Sequence, residues 1–223
     1  MAASAVKTGR CLLFDLDGTL TDNYDGISRC VLHALEAAGC DAPDESVLRG
    51  CVGPPLRHSF ARLLATQDRL RVESAIALYR ERYAAHGWLE NAVYPGIVDA
   101  LEDLAAAGNR LFVCTSKPQL YADRIVTHFG LAPHLSGVHG PDLDGRLDDK
   151  RDLMASLLAA ERLSPAQCVM IGDRAQDMAA ATANNVAGLG VLWGYGTREE
   201  LMSAGARSLA TRPEDLAAAL AAF

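Results

Sequence analysis

Two acidic residues, Asp15 and Asp17, follow the first apolar run of the sequence and are separated by one leucine. In an extended chain, side chains two residues apart leave on the same side, so the pattern predicts that both carboxylates point into one site. Gly18 comes next and allows a sharp backbone turn, which Thr19 can hold by a local hydrogen bond. Paired carboxylates of this kind can attack an electrophile, move a proton or bind a hard cation.

A hydroxyl group and a lysine come from two other parts of the chain. The segment Thr115-Ser116-Lys117 follows a second apolar run, at a predicted helix entry whose backbone N–H groups suit phosphate oxygens. Lys150 stands ahead of another predicted helix and provides a cation. Both segments favour the binding of an anion.

A second pair of carboxylates, Asp173 and Asp177, follows a third apolar run within the segment GDRAQD. Residues four apart share one face of a helix, so both can reach the same point. Carboxylates, a hard divalent cation and a lysine are the groups that phosphoryl transfer needs. The pattern therefore indicates phosphoryl transfer at a divalent-metal site.

Short buried strands are predicted to position these groups. Apolar runs bounded by Gly, Asp, Thr or Ser alternate with segments whose apolar residues recur at helical spacing. The runs cover residues 11–15, 110–115, 167–172 and 187–192. Alternating strands and helices predict an α/β fold, a three-layer sandwich with a mostly parallel, Rossmann-like sheet. In such a sheet the reactive groups gather beyond the carboxyl ends of the strands.

The stretch from residue 22 to 91 interrupts this alternation. It contains no convincing strand and is typical of helices, which are predicted at 27–38, 46–49, 56–65 and 68–86. About 70 residues are too many for an ordinary crossover connection. Two domains are therefore predicted: an α/β core (catalytic) domain of residues 1–21 and 92–223, and an inserted all-helical cap domain of residues 22–91.

Composition excludes several functional classes. The chain has 223 residues, of which 50% are hydrophobic and 22% charged, enough for a sizeable core. The net charge of −7, without a basic block, argues against a nucleic acid polymer as partner. No apolar run approaches the roughly 20 residues needed to cross a membrane. Six cysteines without metal-like spacing, and an N-terminus without an apolar leader, predict a cytoplasmic protein.

Four segments, in this order, resemble the four motifs of the haloacid dehalogenase-like hydrolases. They are DLDGTLTD, CTSK, the segment around Lys150 and GDRAQD. The resemblance extends from about residue 11 to 196, and the helical stretch after the first motif is similar to the family's helical cap. The whole chain looks most like the phosphoglycolate phosphatase branch, which includes 5′-nucleotidase-like members.

The resemblance implies a catalytic role for each matching residue. Asp15 is the expected nucleophile, which forms an aspartyl-phosphate, and Asp17 is the expected acid and base. Asp17 would protonate the leaving oxygen and later deprotonate the attacking water. Thr115 and Lys150 are expected to bind the transferring phosphoryl group, together with Ser116.

A magnesium ion is the cofactor that the resemblance implies. It would be held by Asp15, the backbone carbonyl of Asp17 and Asp173, with Asp177 as a further ligand or as an anchor behind the others. The dehalogenases that give the family its name lack the second acid and need no metal. The presence of Asp17 therefore favours phosphate chemistry.

Substrate choice is expected to lie in the predicted cap. The segment Gly50–Arg57 resembles a cap loop that closes over the site in this branch, so Gly53 and Arg57 are predicted to contact the substrate. Either Arg57 or Arg49 can meet an anionic leaving group.

These features predict a Mg²⁺-dependent phosphatase acting on a small-molecule phosphate ester, with phosphoglycolate as the first candidate. A 5′-nucleotidase acting on nucleoside monophosphates is the main alternative, and a phosphomutase and a non-catalytic phosphate-sensing or chaperone-like module are further alternatives. The protein is expected to be a monomer or a homodimer without a nucleic acid or membrane partner.

Overall fold

A computed structural model describes residues 9–223 of the chain, and a parallel sheet lies at its centre. Its strands are β1 Cys11–Phe14, β2 Thr21–Asp22, β3 Ala92–Val93, β4 Arg110–Cys114, β5 Gly137–His139, β6 Cys168–Gly172, β7 Ala187–Val191 and β8 Ser208–Ala210. Six of them form one sheet in the order β5-β4-β1-β6-β7-β8, with every neighbouring pair parallel. The predicted α/β class is confirmed.

Helices cover both faces of this sheet and fill the segment between β2 and β3. They are α1 Tyr24–Ala37, α2 Glu45–Arg49, α3 Leu56–Leu63, α4 Arg69–Arg82, α5 Ile97–Ala106, α6 Gln119–His128, α7 Lys150–Ala160, α8 Ala175–Ala183, α9 Arg198–Ser203 and α10 Leu216–Leu220. A π-helical turn, Tyr83–Gly87, continues α4. Within residues 9–223, no helix combines the length and the apolar composition that a membrane span requires.

The three layers follow from the alternation of side chains along buried strands. In β1, Leu12 and Phe14 pack into one apolar cluster, whereas Leu13 packs into another on the opposite face. The first cluster contains Ile97, Leu101 and Ile125 of α5 and α6, and the second contains Leu153, Leu157 and Ala180 of α7 and α8. The sheet is therefore buried on both faces, as its continuous apolar runs predict.

The helical segment between β2 and β3 has an apolar cluster of its own. Helices α1 to α4 and the π turn bury side chains such as Val31, Phe60 and Tyr79 against one another. The short strands β2 and β3 pair antiparallel where the chain leaves and re-enters the sheet, with Thr21 opposite Val93. The predicted helices are confirmed, with ends shifted by a few residues. The division of the chain into two domains at residues 22 and 91 stays a prediction.

Candidate active site

Three neighbouring strands end at one place on the carboxyl edge of the sheet. Asp15 follows β1, Thr115 follows β4 and Asp173 follows β6, and these strands are adjacent in the order β4-β1-β6. All three side chains are buried, with Asp173 fully so. The structure thus brings together residues that are far apart in the sequence, such as Asp15 and Asp173.

A tight turn after β1 brings the backbone close to Asp173. Gly18 has a φ of +89°, a conformation that favours glycine, and its N–H donates to the carbonyl of Thr21 at 2.7 Å. A Cβ at Gly18 would lie 2.3 Å from Oδ2 of Asp173. Glycine is needed here both for the turn and for the close approach to the carboxylate.

Three carboxylates form a compact acidic cluster, which consists of Asp15, Asp173 and Asp177. One oxygen of each lies within 4.8 Å of the others, and all three side chains are buried. Asp177 enters from the first turn of α8, where its Oδ2 also accepts a hydrogen bond from the backbone N–H of Arg174 at 3.0 Å.

Burial and mutual repulsion control the charge of the acidic cluster. Burial, together with repulsion from Asp177 and Asp15, raises the pKa of Asp173 well above its usual value. Burial likewise raises the pKa of Asp177 to about 6, although Lys150 acts in the opposite direction. With all three carboxylates ionised, the cluster would hold more negative charge than Lys150 alone neutralises.

Whether the acidic cluster can bind a divalent cation depends on its charge and on its donor atoms. A divalent cation would neutralise the excess of negative charge. Asp173 accepts hydrogen bonds from the backbone N–H of Tyr195 at 2.8 Å and from the hydroxyl of Thr19 at 3.4 Å. Among residues 9–223 no lysine or arginine forms an ion pair with it, and the charge of Arg174 acts on it only at longer range. Buried carboxylate oxygens that converge at short range are the donors that Mg²⁺ prefers. The acidic cluster fits such an ion. The side chain of Asp17 is not part of the cluster.

Lys150 is the cation of the acidic cluster. It begins α7, whose N-terminus is capped by Asp149, which accepts a hydrogen bond from the N–H of Arg151 at 2.9 Å. Its Nζ lies 2.7 Å from Oδ1 of Asp15 and also donates to Asp177. Burial alone would lower the pKa of Lys150, but Asp15 and Asp177 raise it above its usual value, so the ammonium stays charged.

The end of β4 supplies the hydroxyl groups predicted from the sequence. The Thr115 hydroxyl accepts a hydrogen bond from the N–H of Lys117 at 3.2 Å. Thr115 and Ser116 line the same cavity as Asp15 and Lys150, so the structure brings these four residues together.

Asp17 has partners that the sequence interpretation missed. Its Oδ2 lies 2.8 Å from Nζ of Lys117, a lysine that is only 8% exposed. Burial raises the pKa of Asp17, and the Lys117 charge opposes that rise. The sequence pattern points to the backbone N–H groups of this segment and not to the Lys117 side chain. The one available signal was its place directly after Thr115 and Ser116 at a strand end.

A cavity of about 150 Å³ lies between the sheet edge and the helical segment. The segment contributes an apolar wall that includes Ile76 and Tyr79, and the loop between α2 and α3 contributes Gly53. Gly53 has a φ of +101°, and a Cβ there would lie 3.3 Å from Cγ of Arg174. Arg174 donates a hydrogen bond to the carbonyl of Val52, so the loop rests directly on the residue after Asp173.

The two arginines proposed for an anionic leaving group differ in position. Arg57 lines the cavity, but its guanidinium already pairs with Glu73 at 2.6 Å and lies 3.8 Å from Asp148. Arg49 does not line the cavity; it pairs with Glu45 at 2.8 Å and stacks on Tyr24.

Fold and site together define an α/β protein with a parallel sheet and a buried carboxylate centre at its carboxyl edge. Comparison with known proteins agrees, because the profile described as haloacid dehalogenase-like hydrolase matches residues 12–191. The chain belongs to the haloacid dehalogenase-like hydrolase family, and the predicted resemblance is confirmed.

Curated relatives carry names from phosphate chemistry. A 5′-nucleotidase of Pseudomonas aeruginosa is 43% identical over 190 residues, which cover 85% of this chain and 86% of the relative. A phosphoglycolate phosphatase of Rhodospirillum rubrum is 32% identical, with 88% of this chain and 85% of the relative covered. The family and these names support the expected class, a phosphoric monoester hydrolase.

A third relative has a different name. The tyrosine-protein kinase PtkA of Mycobacterium tuberculosis is 40% identical over 195 residues, which cover 87% of this chain but 66% of the relative. About a third of that protein therefore lies outside the alignment.

The fold also matches a solved structure. A crystal structure described as a predicted phosphatase from Clostridium acetobutylicum superposes with a TM-score of 0.92 at 36% identity, covering 97% of this chain and 100% of the other. The similarity includes the helical segment, because nearly the whole of each chain is covered.

Proposed function

We propose that the protein is a Mg²⁺-dependent phosphatase that hydrolyses a small phosphorylated metabolite through an aspartyl-phosphate on Asp15. The observation that supports this most directly is the buried acidic cluster with Lys150 at the carboxyl edge of the sheet. Membership of a hydrolase family and the names of the relatives support the same reaction class.

In the first half-reaction, an Asp15 oxygen attacks phosphorus while the bond to the leaving oxygen breaks. Asp17 gives its proton to that oxygen, so the alcohol leaves neutral. Thr115, Ser116 and Lys150 hold the phosphoryl oxygens as charge shifts onto them. The side chains named here line one cavity, which is the condition for such a step.

In the second half-reaction, water attacks the aspartyl-phosphate and Asp17 takes its proton. Phosphate leaves and the Asp15 carboxylate is restored. Asp15, Asp173, Asp177 and the backbone carbonyl of Asp17 would hold the magnesium ion. When bound, the ion neutralises the repulsion between a carboxylate nucleophile and an anionic phosphate.

The helical segment has its own part in the proposal. Residues 22–91 act as a cap domain over the catalytic core, and Gly53 and Arg57 on its cavity side contact the leaving group. A cytoplasmic location and a monomeric or homodimeric state belong to the same proposal.

Two substrate classes have specific support. Phosphoglycolate carries a second anion, which suits the arginines of the cavity wall. A nucleoside monophosphate carries a base, which suits the tyrosines Tyr79, Tyr83 and Tyr121 on the same wall. Phosphoglycolate remains the leading candidate from the sequence. A nucleoside monophosphate has the support of the 5′-nucleotidase that is 43% identical to this chain.

Transfer of the phosphoryl group to an acceptor other than water is the competing reaction. A phosphomutase would return it to a sugar phosphate, and a protein kinase would move it to tyrosine, as the name of PtkA describes for that protein. Both leave phosphate bound to an acceptor, whereas a phosphatase releases it.

The test is phosphate release from phosphoglycolate, nucleoside monophosphates, sugar phosphates and a generic aryl phosphate, ranked by kcat/KM. We expect release without an added acceptor, and we expect Asp15→Asn to abolish it because an amide cannot form the acyl phosphate. Asp103→Asn, an exposed aspartate of α5, is the matched control and keeps full activity. Unchanged turnover in Asp15→Asn, or label moving from ATP to protein tyrosine without phosphate release, contradicts the proposal.

A further inference from the structure

Lys117 is a buried cation for which the reaction above has no use. Its side chain is almost completely enclosed, and its nearest carboxylate is Asp17, not the acidic cluster. An ammonium group has three N–H donors, and a buried one needs a partner for each. The identity of these partners defines what the lysine does.

Two of the partners come from outside the sheet. Nζ of Lys117 lies 2.6 Å from the hydroxyl of Tyr83, in the π turn, and 4.6 Å from the centre of the same ring. When the Asn23 amide is oriented so that both of its ends are paired, its oxygen accepts from Lys117 at 2.9 Å and from the Tyr83 hydroxyl at 2.7 Å. Its nitrogen then donates to the carbonyl of Glu90 at 3.3 Å.

The ammonium of Lys117 is thereby fully used. Asp17, Tyr83 and Asn23 each take one N–H, so no donor is left for a substrate phosphate. Lys117 therefore differs from Lys150, which contacts the nucleophile. Its geometry fits a residue that acts through Asp17.

The position of Tyr83 is held by its neighbours. Its ring stacks on Tyr79 with centroids 5.6 Å apart and meets Tyr121 edge-on at 5.0 Å. Burial raises the pKa of the Tyr83 hydroxyl well above its usual value, so the group stays neutral and can donate to Asn23. A rigid tyrosine of the helical segment thus fixes the end of the Lys117 side chain.

We infer that Lys117 and Tyr83 are positioning residues that aim the carboxyl group of Asp17 at the leaving oxygen. Lys117 binds Oδ2, so Oδ1, which lies 3.3 Å from the side-chain amide of Asn23, is the oxygen that carries the transferred proton. The proton moves from Oδ1 to the leaving oxygen as the phosphorus–oxygen bond breaks and its electron pair passes to that oxygen. This inference rests on the proposed function, because Lys117 can affect the reaction only if Asp17 acts as its general acid.

Leaving-group dependence tests the inference. An aryl phosphate releases a stable phenolate and needs little protonation, whereas an alkyl phosphate releases an alkoxide and needs a proton. We expect Lys117→Met to lower kcat for an alkyl phosphate about 100-fold and kcat for p-nitrophenyl phosphate less than about tenfold. Tyr83→Phe keeps the stacked ring and removes only the hydroxyl, so we expect the same selective loss at about 3- to 10-fold.

Two comparisons complete the experiment. Asp17→Asn removes the acid itself, so it gives the largest expected change in the ratio of kcat for the alkyl phosphate to kcat for the aryl phosphate. The double variant Asp17→Asn/Lys117→Met should have the same ratio as Asp17→Asn alone. Tyr24→Phe removes a hydroxyl from α1 away from the cavity and should alter neither rate. Circular dichroism and thermal unfolding check that each variant folds. If Lys117→Met does not fold, the kinetics of Tyr83→Phe alone test the positioning role.

The outcomes separate the two proposals. If the wild-type protein releases phosphate from neither ester, the proposed function fails. If it hydrolyses both and the variants lower the two rates equally, Lys117 and Tyr83 have only a structural role and the inference alone is overturned.

Discussion

Cationic side chains of the cavity differ in how far their charge is already neutralised. Arg57 has Glu73 in hydrogen-bond contact and Asp148 near by. Arg80 of α4 lines the same cavity; the charge of Glu73 reaches it, but its guanidinium forms no hydrogen bond or ion pair among residues 9–223. A guanidinium without a partner loses less when it binds a new anion, because no existing pair must be broken.

We therefore expect Arg80, more than Arg57, to recognise a second anion on the leaving group. Arg80→Ala should lower kcat/KM for phosphoglycolate about tenfold or more, the usual effect of losing a charged hydrogen bond. Activity on p-nitrophenyl phosphate should change less than about threefold, because that leaving group carries no second anion. Steady-state kinetics on the two substrates measure the difference.

The control for Arg80→Ala is Arg71→Ala, which removes an exposed arginine from the same helix away from the cavity. It should change neither rate. A larger loss for phosphoglycolate in Arg57→Ala than in Arg80→Ala would reverse the assignment and restore the choice made from the sequence.

At the scale of single residues, sequence spacing revealed the groups that act from strand ends. Asp15 and Asp173 could be predicted because each directly follows a buried apolar run. The pairing of Arg57 with Glu73 could not, because the partner lies on another helix. The same holds for Lys117, since its partner Tyr83 is distant in sequence and meets it only in the folded chain.

At the scale of elements, an ion-pair network ties the helical segment to the point where the chain returns to the sheet. Arg82, at the end of α4, binds Glu90 through two contacts of 2.8 and 3.0 Å. Arg29 of α1 adds a third at 3.0 Å. Hydrogen bonds from Arg82 lower the pKa of Glu90 to about 2 from its usual 4.5.

The lowered pKa predicts how the stability of this segment depends on pH. Because the folded-state pKa lies below the unfolded one, the contribution is complete above about pH 4.5 and is lost as pH falls toward 2. We expect Glu90→Gln to reduce the free energy of unfolding by about 2 kcal/mol at pH 7. The difference from wild type should shrink between pH 4.5 and 2, as measured by urea unfolding followed by circular dichroism.

Glu45→Gln is the matched control, because Glu45 also pairs with an arginine but has a side chain that is 67% exposed. An exposed pair contributes at most about 0.5 kcal/mol, so this variant should unfold almost as the wild type does. If the free energies of unfolding of wild type and Glu90→Gln differ by the same amount from pH 7 to 2, the ion pair is not the cause of the difference.

The sequence predicted long elements better than short ones. The four strands with continuous apolar runs were found, whereas β5 and β8 were missed because each has three residues and lies at an edge of the sheet. One helix was predicted over 68–86, but α4 ends at Arg82 and a π turn follows. Apolar spacing does not distinguish these two helical forms over a single turn.

At the scale of the whole molecule, the acidic cluster joins distant parts of the chain. Asp15 follows the first strand, and Asp173 and Asp177 flank the entry to α8. Lys150 offsets only part of their mutual repulsion, which opposes folding, and a bound divalent cation would remove the rest. Metal binding should therefore stabilise the entire fold and not only support turnover.

We expect Mg²⁺ to raise the thermal unfolding midpoint of the wild-type protein relative to chelator. An ion present at 100 times its dissociation constant adds about 2.7 kcal/mol, which corresponds to roughly 5–10 °C for a chain of this size. Asp173→Asn removes one ligand and part of the repulsion, so we expect it to be at least as stable as wild type in chelator and to lose most of the Mg²⁺-dependent rise. Differential scanning calorimetry with and without Mg²⁺ measures both effects.

Asp148→Asn separates metal binding from a general effect of charge. Asp148 lines the cavity but is not in the acidic cluster, so this variant should keep the full Mg²⁺-dependent rise in the unfolding midpoint.

Phosphate release should disappear in chelator and return with Mg²⁺, whereas Ca²⁺ should inhibit it, because its looser coordination disturbs the in-line geometry. If Asp173→Asn keeps the wild-type rise in midpoint, the ion binds elsewhere, and the convergence of carboxylates at the sheet edge has another cause.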